Sequence, residues 1–269
     1  MTSKKTLTAR EKYLRDKKRY KFFVLITQIG ILLFIVLVWE LLAHFGIIDS
    51  FITSSPSRMF DTFIRMLSQD LLTHIGVTCL ETLVGFLLGT IFGTLIACLL
   101  WWSPFLSQVV APYLVVLGSL PKVALGPIII VWVGAGMPAI ITMALMVSLI
   151  VTILDMLSGF ASTDTNKIKM LQTFGANKLQ IFTKVVFPSN IPTLLNVLKV
   201  NIGLSMVGVI TGEFLVSKNG LGYLIVYGGQ VFQLDLVMTS VIILGVVASL
   251  LYNAVVLLQK IISKKSRWQ

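Results

Sequence analysis

The chain has 269 residues, 56% of them hydrophobic and only 12% charged, with a formal net charge of +11. A charged fraction about half that of an average soluble protein, with the apolar residues in long blocks, excludes an ordinary soluble globular domain. The positive excess does not describe a nucleic-acid binder either, because the basic residues flank apolar blocks and form no aromatic-interleaved basic face.

Nine Lys and Arg lie between Lys4 and Lys21, ahead of the first apolar block. Residues 1–21 therefore read as a basic cytoplasmic lead, partly helical along the membrane surface. A bilayer core of ~30 Å takes ~20 apolar residues as a helix, and the first predicted span covers 22–45. Trp39 near its far end suits an interfacial position. The block is too long for a signal-peptide core and has no small-residue cleavage site, so it is expected to remain as an uncleaved span. Residues 46–74, with Asp49, Arg58, Asp61, Arg65 and Asp70, read as an external loop holding a short helix.

The second span is predicted over 75–100. Its Gly85, Gly89 and Gly93 repeat every fourth residue, a ladder that lets another helix approach closely. Cys79 and Cys98 share this span nearly ~30 Å apart at ~1.5 Å per residue, which excludes a disulfide between them. Trp101, Trp102, Ser103 and Pro104 make an interfacial turn. The third span, over 108–133, is interrupted by Pro112, Pro121 and Pro127. Broken helices at membrane depth require protein or a water-filled cavity to cover the freed backbone groups. Gly134, Ala135 and Gly136 turn the chain into a fourth span over 138–159. A polar, basic loop over 161–192 leads to a fifth span at 194–214 and a sixth at 236–258. The glycine-rich stretch 220–229 reads as an external loop.

With six spans and the N-terminus inside, cytoplasmic segments hold seventeen Lys and Arg and external loops three, namely Arg58, Arg65 and Lys218. That asymmetry obeys the positive-inside rule, and the reverse orientation violates it. The predicted fold is all-α: a polytopic protein of the cell membrane with six transmembrane helices and both termini cytoplasmic. Its parts are the lead at 1–21, the membrane domain at 22–260 and a basic tail at 261–269.

Within the 161–192 loop, Ile168, Leu171 and Gln172 fall on one helical face, and Met170 and Phe174 on another. Gly175 bends or ends that helix. Leu179, Phe182 and Val186 continue an apolar stripe, and Pro188 and Pro192 stop it before the fifth span. Two short helices hinged at a glycine form an element that can dock into a groove of a cytoplasmic partner. A helix lying on anionic lipid is the alternative on physical grounds alone.

The residue pattern separates the two. Permeases of ATP-binding-cassette (ABC) importers carry a cytoplasmic Glu-Ala-Ala, three residues, Gly, nine residues and Ile-x-Leu-Pro. Gly175, Val185, Phe187 and Pro188 fill the last four defined positions here at those spacings. The run LQTFGANKLQIFTKVVFPSNIP resembles the branch that imports nitrate, sulfonates, taurine and pyrimidine precursors of thiamine. So do SLPKVALGPIIIVWVGAG at 119–136 and GEFLVSKNGLGYLI at 212–225. The resemblance extends from about Thr73 to the C-terminus. It implies a type I importer permease fold whose coupling helix, with Lys169, Met170, Leu171, Phe174, Gly175, Ala176, Phe187 and Pro188, meets the ATPase. One departure is that Lys169 stands where the family carries the glutamate. Docking is therefore expected to rest on Phe174 and Gly175, with Lys169 paired to an acid of the partner or solvated.

The same resemblance implies the partners: two ATP-binding-cassette ATPase subunits, an extracytoplasmic substrate-binding protein and a second permease copy in a homodimer, all set in membrane lipid. ATP chemistry belongs to the partner, because the chain has no GxxxxGK[S/T] phosphate loop. No Cys–His cluster suggests a metal and no Ser/His/Asp set a nucleophile, so no catalytic residue, metal or cofactor is expected. Charged residues within spans are costly and often functional. Glu40, Asp155 and Lys199 lie near span ends, where snorkelling explains them. Glu81, Lys122 and Glu213 are the candidate pathway residues. Lys122, beside Pro121, either faces an anionic substrate or pairs with Glu81 or Glu213. The expected solute is a small anion such as a sulfonate, taurine or nitrate, with a thiamine pyrimidine precursor as the alternative. A secondary transporter would show an inverted repeat and more intramembrane acids, and no internal repeat is visible.

Overall fold

A computed structural model describes residues 9–266. The remaining terminal residues, among them Lys4 and Arg267 of the predicted basic lead and tail, lie outside the described residues. Every regular element among the described residues is helical.

Helix α1 (Ala9–His44) runs unbroken for 36 residues, so it is ~54 Å long at ~1.5 Å per residue. No Gly or Pro interrupts it before Gly30, and Lys, Arg, Glu and Leu there favour helix. The described part of the basic lead, from Ala9, is helical and continuous with the helix of the first span. Two short helices follow. In α2 (Ser50–Thr53) the Asp49 side chain accepts from the Phe51 N–H at 2.8 Å. In α3 (Pro56–Leu67) Ser55 is the N-cap and proline takes the first helical position, where no backbone donor is missed.

Helix α4 (Leu71–Trp102) is the second span, and α5 (Pro104–Ser119) begins directly after a Ser103 cap. A 3₁₀ turn (Lys122–Leu125) joins α5 to α6 (Gly126–Val133), and the axis bends by 91° between them. The break falls at Leu120–Pro121. Pro121 disfavours helical geometry at the residue before it, and Leu120 is extended with ψ 139°. Pro112 lies inside α5 without breaking it, and Pro127 sits in the first turn of α6. Of the three prolines expected to interrupt this span, one does.

Helix α7 (Met137–Ala161) follows a turn in which Gly134 and Gly136 have φ of +90° and +100°. Then come α8 (Thr165–Thr173), α9 (Lys178–Ile181), a π turn (Phe182–Val186) and α10 (Phe187–Ser189). Helix α11 (Ile191–Val216) is the fifth span and α13 (Leu234–Ser266) the sixth. Between them the stretch read as a loop forms a helix, α12 (Leu221–Gln230). Among the described residues, five helices are long and apolar enough to cross a membrane, or six with α5 and α6 taken as one bent span.

The core is a sandwich of α4, α7 and α11. A Cβ at Gly85 would lie 2.5 Å from Cβ of Ala144, one at Gly93 2.5 Å from Cβ of Thr152, and one at Gly89 would strike the Ser148 hydroxyl. From the other side a Cβ at Gly208 of α11 would lie 2.5 Å from Cα of Ala144. Ala144 is therefore clasped between two glycines, and the three backbones approach as closely as small residues allow. Asn201 ties the same helices by hydrogen bonds, its Nδ2 donating to Thr90 Oγ1 at 2.9 Å and Thr152 Oγ1 at 2.6 Å. Helix α1 stands apart. Its Glu40 carboxylate accepts from the Ser57 N–H at 3.0 Å and hydroxyl at 2.8 Å, at the positive N-terminal end of α3.

Candidate functional site

The segment from α8 to α10 is fixed by its own local bonds. Asp164 starts α8 by accepting from the Asn166 N–H at 2.9 Å. The helix ends at Gly175, whose φ of +75° is the left-handed conformation that glycine adopts without strain. The N–H groups of Gly175 and Ala176 donate to the carbonyls of Gln172 and Leu171 at 2.9 and 3.0 Å, the paired bonds of a Schellman turn. A Cβ at Gly175 would meet nothing within 4 Å. Backbone conformation, not space, calls for the glycine. Asn177 and Gln180 then form a reciprocal capping box that starts α9.

One face of this hinged element anchors it to the bundle. Ile168, Leu171, Ala176, Ile181, Phe182, Val186 and Phe187 pack with Ala97 and Trp101 of α4, Met156 and Phe160 of α7 and Val197 of α11. Phe182 lies at its centre, 4.9 Å from Trp101 and 5.5 Å from Phe160 between ring centroids. Lys178 lies 5.7 Å from the centroids of both Trp101 and Trp102 and donates to the Trp102 carbonyl at the C-terminal end of α4. A cation there is favoured both by the rings and by the helix dipole.

The opposite face is bare. Phe174 is 80% exposed, Met170 56% and Leu179 57%. Of the residues singled out from sequence, Leu171, Ala176 and Phe187 face the bundle, whereas Lys169, Met170, Phe174, Gly175 and Pro188 lie on the exposed side. Lys169 makes no ion pair among the described residues. Leu179 departs from the expected apolar stripe by turning outward, and Ile181 takes the buried place.

The three intramembrane candidates separate into two groups. Lys122 donates to the Gly118 carbonyl at 2.9 Å, capping the end of α5, and makes no salt bridge with Glu81 or Glu213. Glu81 and Glu213 are brought together and are 2% and 1% exposed. Glu213 Oε1 accepts from Thr78 Oγ1 at 2.6 Å, and Oε2 accepts from the Gly222 N–H. Thr78 Oγ1 in turn accepts from the Leu221 N–H at 2.8 Å, and His74 Nδ1 accepts from the Gly220 N–H at 2.9 Å. Three N–H groups at the start of α12, which a local cap ordinarily satisfies, are thus held by side chains of α4 and α11. A side chain at Gly220 or Gly222 would collide with the Glu213 carboxylate.

Sequence reasoning does not single out His74 and Thr78 as residues that hold α12 together with Glu213. The signal was present in α4. His74, Thr78, Glu81, Gly85, Gly89 and Gly93 recur at three- and four-residue steps and form one polar-to-small stripe along an otherwise apolar helix.

A helical bundle with a close-packed core, a proline-broken span and a rigid element projecting from its basic end defines a multi-pass membrane protein of the permease class. Residues 85–268 match the family described as binding-protein-dependent transport system inner membrane component, and the chain belongs to that family. It is a permease component of an ABC importer. A probable ABC transporter permease protein of Haemophilus influenzae is 29% identical, covering 84% of this chain and 91% of that protein. The formylaminopyrimidine transport permease protein ThiX of Halalkalibacterium halodurans is 27% identical, over 71% of this chain and 76% of its own length. A putative aliphatic sulfonates transport permease protein, SsuC of Bacillus subtilis, is 25% identical over 87% of this chain and 84% of its own. In fold, the chain is similar to a chain of the inward-facing MetNI methionine ABC transporter. The TM-score is 0.64 at 19% identity, covering 72% of this chain and 96% of that one.

Proposed function

We propose that two copies of this chain form the translocation pathway of an importer for a small organic or inorganic anion. Two ATPase subunits power it from the cytoplasm, and an extracytoplasmic binding protein delivers the solute. Both termini, the basic lead at 1–21, the tail at 261–269 and the α8–α10 element lie in the cytoplasm in this reading, which the distribution of Lys and Arg supports. The membrane domain spans 22–260. The observation that carries this reading is Phe174, 80% exposed at a hinge fixed by a Schellman turn on one side and a capping box on the other. An aromatic held rigidly away from its own fold is suited to fill a pocket of a partner.

In this account Met170, Phe174 and Gly175 form the contact with the ATPase, and Lys169 meets an acidic residue there. Leu171, Ala176 and Phe187 transmit the motion into α4, α7 and α11. ATP binding biases the two permease halves between inward-open and outward-open states through this contact. In the same account Lys122, beside the 91° break, meets the anionic solute. Glu213, with Thr78 and His74, holds the start of α12, and Glu81 is buried in the same core. Similarity to a sulfonate permease supports an anion, whereas similarity to ThiX supports a thiamine pyrimidine precursor as the second reading.

Uptake by proteoliposomes containing the permease, its ATPase and its binding protein tests this function. ATP-dependent accumulation of labelled taurine or an alkanesulfonate is expected, and Lys122→Gln is expected to raise the concentration needed for half-maximal uptake. Uptake that persists without ATP, or that ignores the substitution at every concentration, contradicts the reading.

A further inference from the structure

Glu81 of α4 and Glu213 of α11 are 2% and 1% exposed, and their carboxyl groups are in hydrogen-bonding contact. Nothing around the pair neutralises it. On α4, His74 Nδ1 accepts from the Gly220 N–H, which only a neutral imidazole does, and Asp70 at the start of the helix is an exposed acid. Cys79, beside Glu213, is a free thiol. On α12, Tyr223 stacks on the His74 ring with centroids 6.0 Å apart. Lys218, on the turn before α12, is exposed to solvent, and Asp235 of α13 is taken by Arg58. Asp155 of α7 and Lys199 of α11 lie toward the other ends of their helices. Among the described residues, no salt bridge reaches Glu81 or Glu213. Two carboxylates in contact, out of water and without a cation, cannot both stay ionised, so such a pair keeps a proton between them.

The surroundings decide which acid keeps it. The donors of this site are aimed at Glu213: the Thr78 hydroxyl at 2.6 Å, the Gly222 N–H and the Tyr223 N–H. Oxygens that accept from so many donors are those of a carboxylate. Glu81 has no such shell. Its buried Oε2 receives no N–H or O–H from any described residue. An anion there would be stripped of water with nothing in return, whereas a carboxylic acid has one hydrogen to give, and the Glu213 carboxylate is in contact to accept it. Among the described residues, no group of three or more His, Cys, Asp or Glu side chains comes together as a metal-ligand set. The occupant that the pair can hold is a proton.

We infer that Glu81 and Glu213 form a proton-binding site, in which Glu81 is a neutral carboxylic acid and donates a hydrogen bond to the Glu213 carboxylate. The proton lets Glu213 stay beside Glu81 while it holds the start of α12, so it acts as a latch between α4, α11 and α12. Its loss sets two anions side by side at the point where α12 is anchored.

The test uses the whole transporter, purified with its ATPase in a detergent that contains no carbonyl group. Infrared difference spectra at neutral pH read the proton directly. Wild type minus Glu81→Gln is expected to show the C=O stretch of a protonated carboxyl. Wild type minus Glu213→Gln is expected to show the bands of a carboxylate, with the protonated band shifted and not lost. Hydrogen exchange then reads the latch. Glu81→Gln, whose amide N–H replaces the O–H donor, is expected to keep the wild-type protection of the Gly220, Leu221 and Gly222 amides. Glu81→Leu, of similar size but without a donor, is expected to lower that protection by about tenfold or more. A protonated band that persists in Glu81→Gln and vanishes in Glu213→Gln would overturn the assignment of the proton. No protonated band in either difference would overturn the site altogether, and protection that then rises with added sodium ions would mark a bound cation in its place. Protection in Glu81→Leu equal to wild type would overturn the latch.

Discussion

Single residues divide into those that hold the fold and those held out from it, and Glu213 is the clearest of the first kind. Its carboxylate is 1% exposed and accepts from Thr78 and Gly222. Glu213→Ala leaves a buried hydroxyl and a buried amide unsatisfied, at a cost of about 1–3 kcal/mol for each group. Hydrogen exchange is expected to show the amides of Gly220, Leu221 and Gly222 losing protection in that variant, with Glu213→Gln intermediate. Unchanged protection would mean that α12 is held some other way. Phe174 is the clearest of the second kind. Because it is 80% exposed, Phe174→Ala is expected to leave the melting temperature unchanged while ATPase association falls. Leu171→Ala should do the reverse at first order, since Leu171 packs on the bundle. The Glu213 charge stands out in the sequence, but its partners do not. Thr78 lies 135 positions away, and no local pattern connects the two.

At the scale of elements, the tightest constraint is the approach of α11 to α7. A Cβ on Gly208 would meet the backbone of Ala144, which cannot rotate away, whereas one on Gly203 would meet nothing within 4 Å. Gly208→Ala is therefore expected to destabilise by about 1–3 kcal/mol through overpacking. Gly203→Ala, in the same helix, should be neutral or stabilising by up to about 1 kcal/mol through propensity. Thermal unfolding of the two variants in one detergent measures the contrast, and equal melting temperatures would contradict the packing described. The spans themselves were legible because hydropathy is summed over many residues and tolerates local error. The glycine hinge was legible because every bond that makes it lies within 164–180. Helix α12 was missed for the opposite reason. Its glycines lower helix propensity, and the caps that compensate come from α4 and α11, which sequence spacing does not bring together. The three prolines looked equivalent, and only the chain direction around Pro121 separates it from Pro112.

For the molecule as a whole, the two ends are joined by the same helices. Thr78 and Glu213 hold α12 at one end of α4 and α11, and Trp101 and Val197 hold the hinged element at the other. Between them the glycine contacts leave little room for the helices to slide independently. In the proposed account a push on Phe174 is carried into the same sandwich that holds α12 at the far end, as an importer driven from one side and loaded from the other requires. The central claim is that this chain works as the permease of such a complex. The direct measurement is to tag the chain, extract it gently from its native membrane, and identify and quantify what accompanies it. The account predicts an ATP-binding-cassette ATPase in equal amount, lost on Phe174→Ala. A homo-oligomer that never retains an ATPase, in several mild detergents, would contradict it and point to a transporter that works without one.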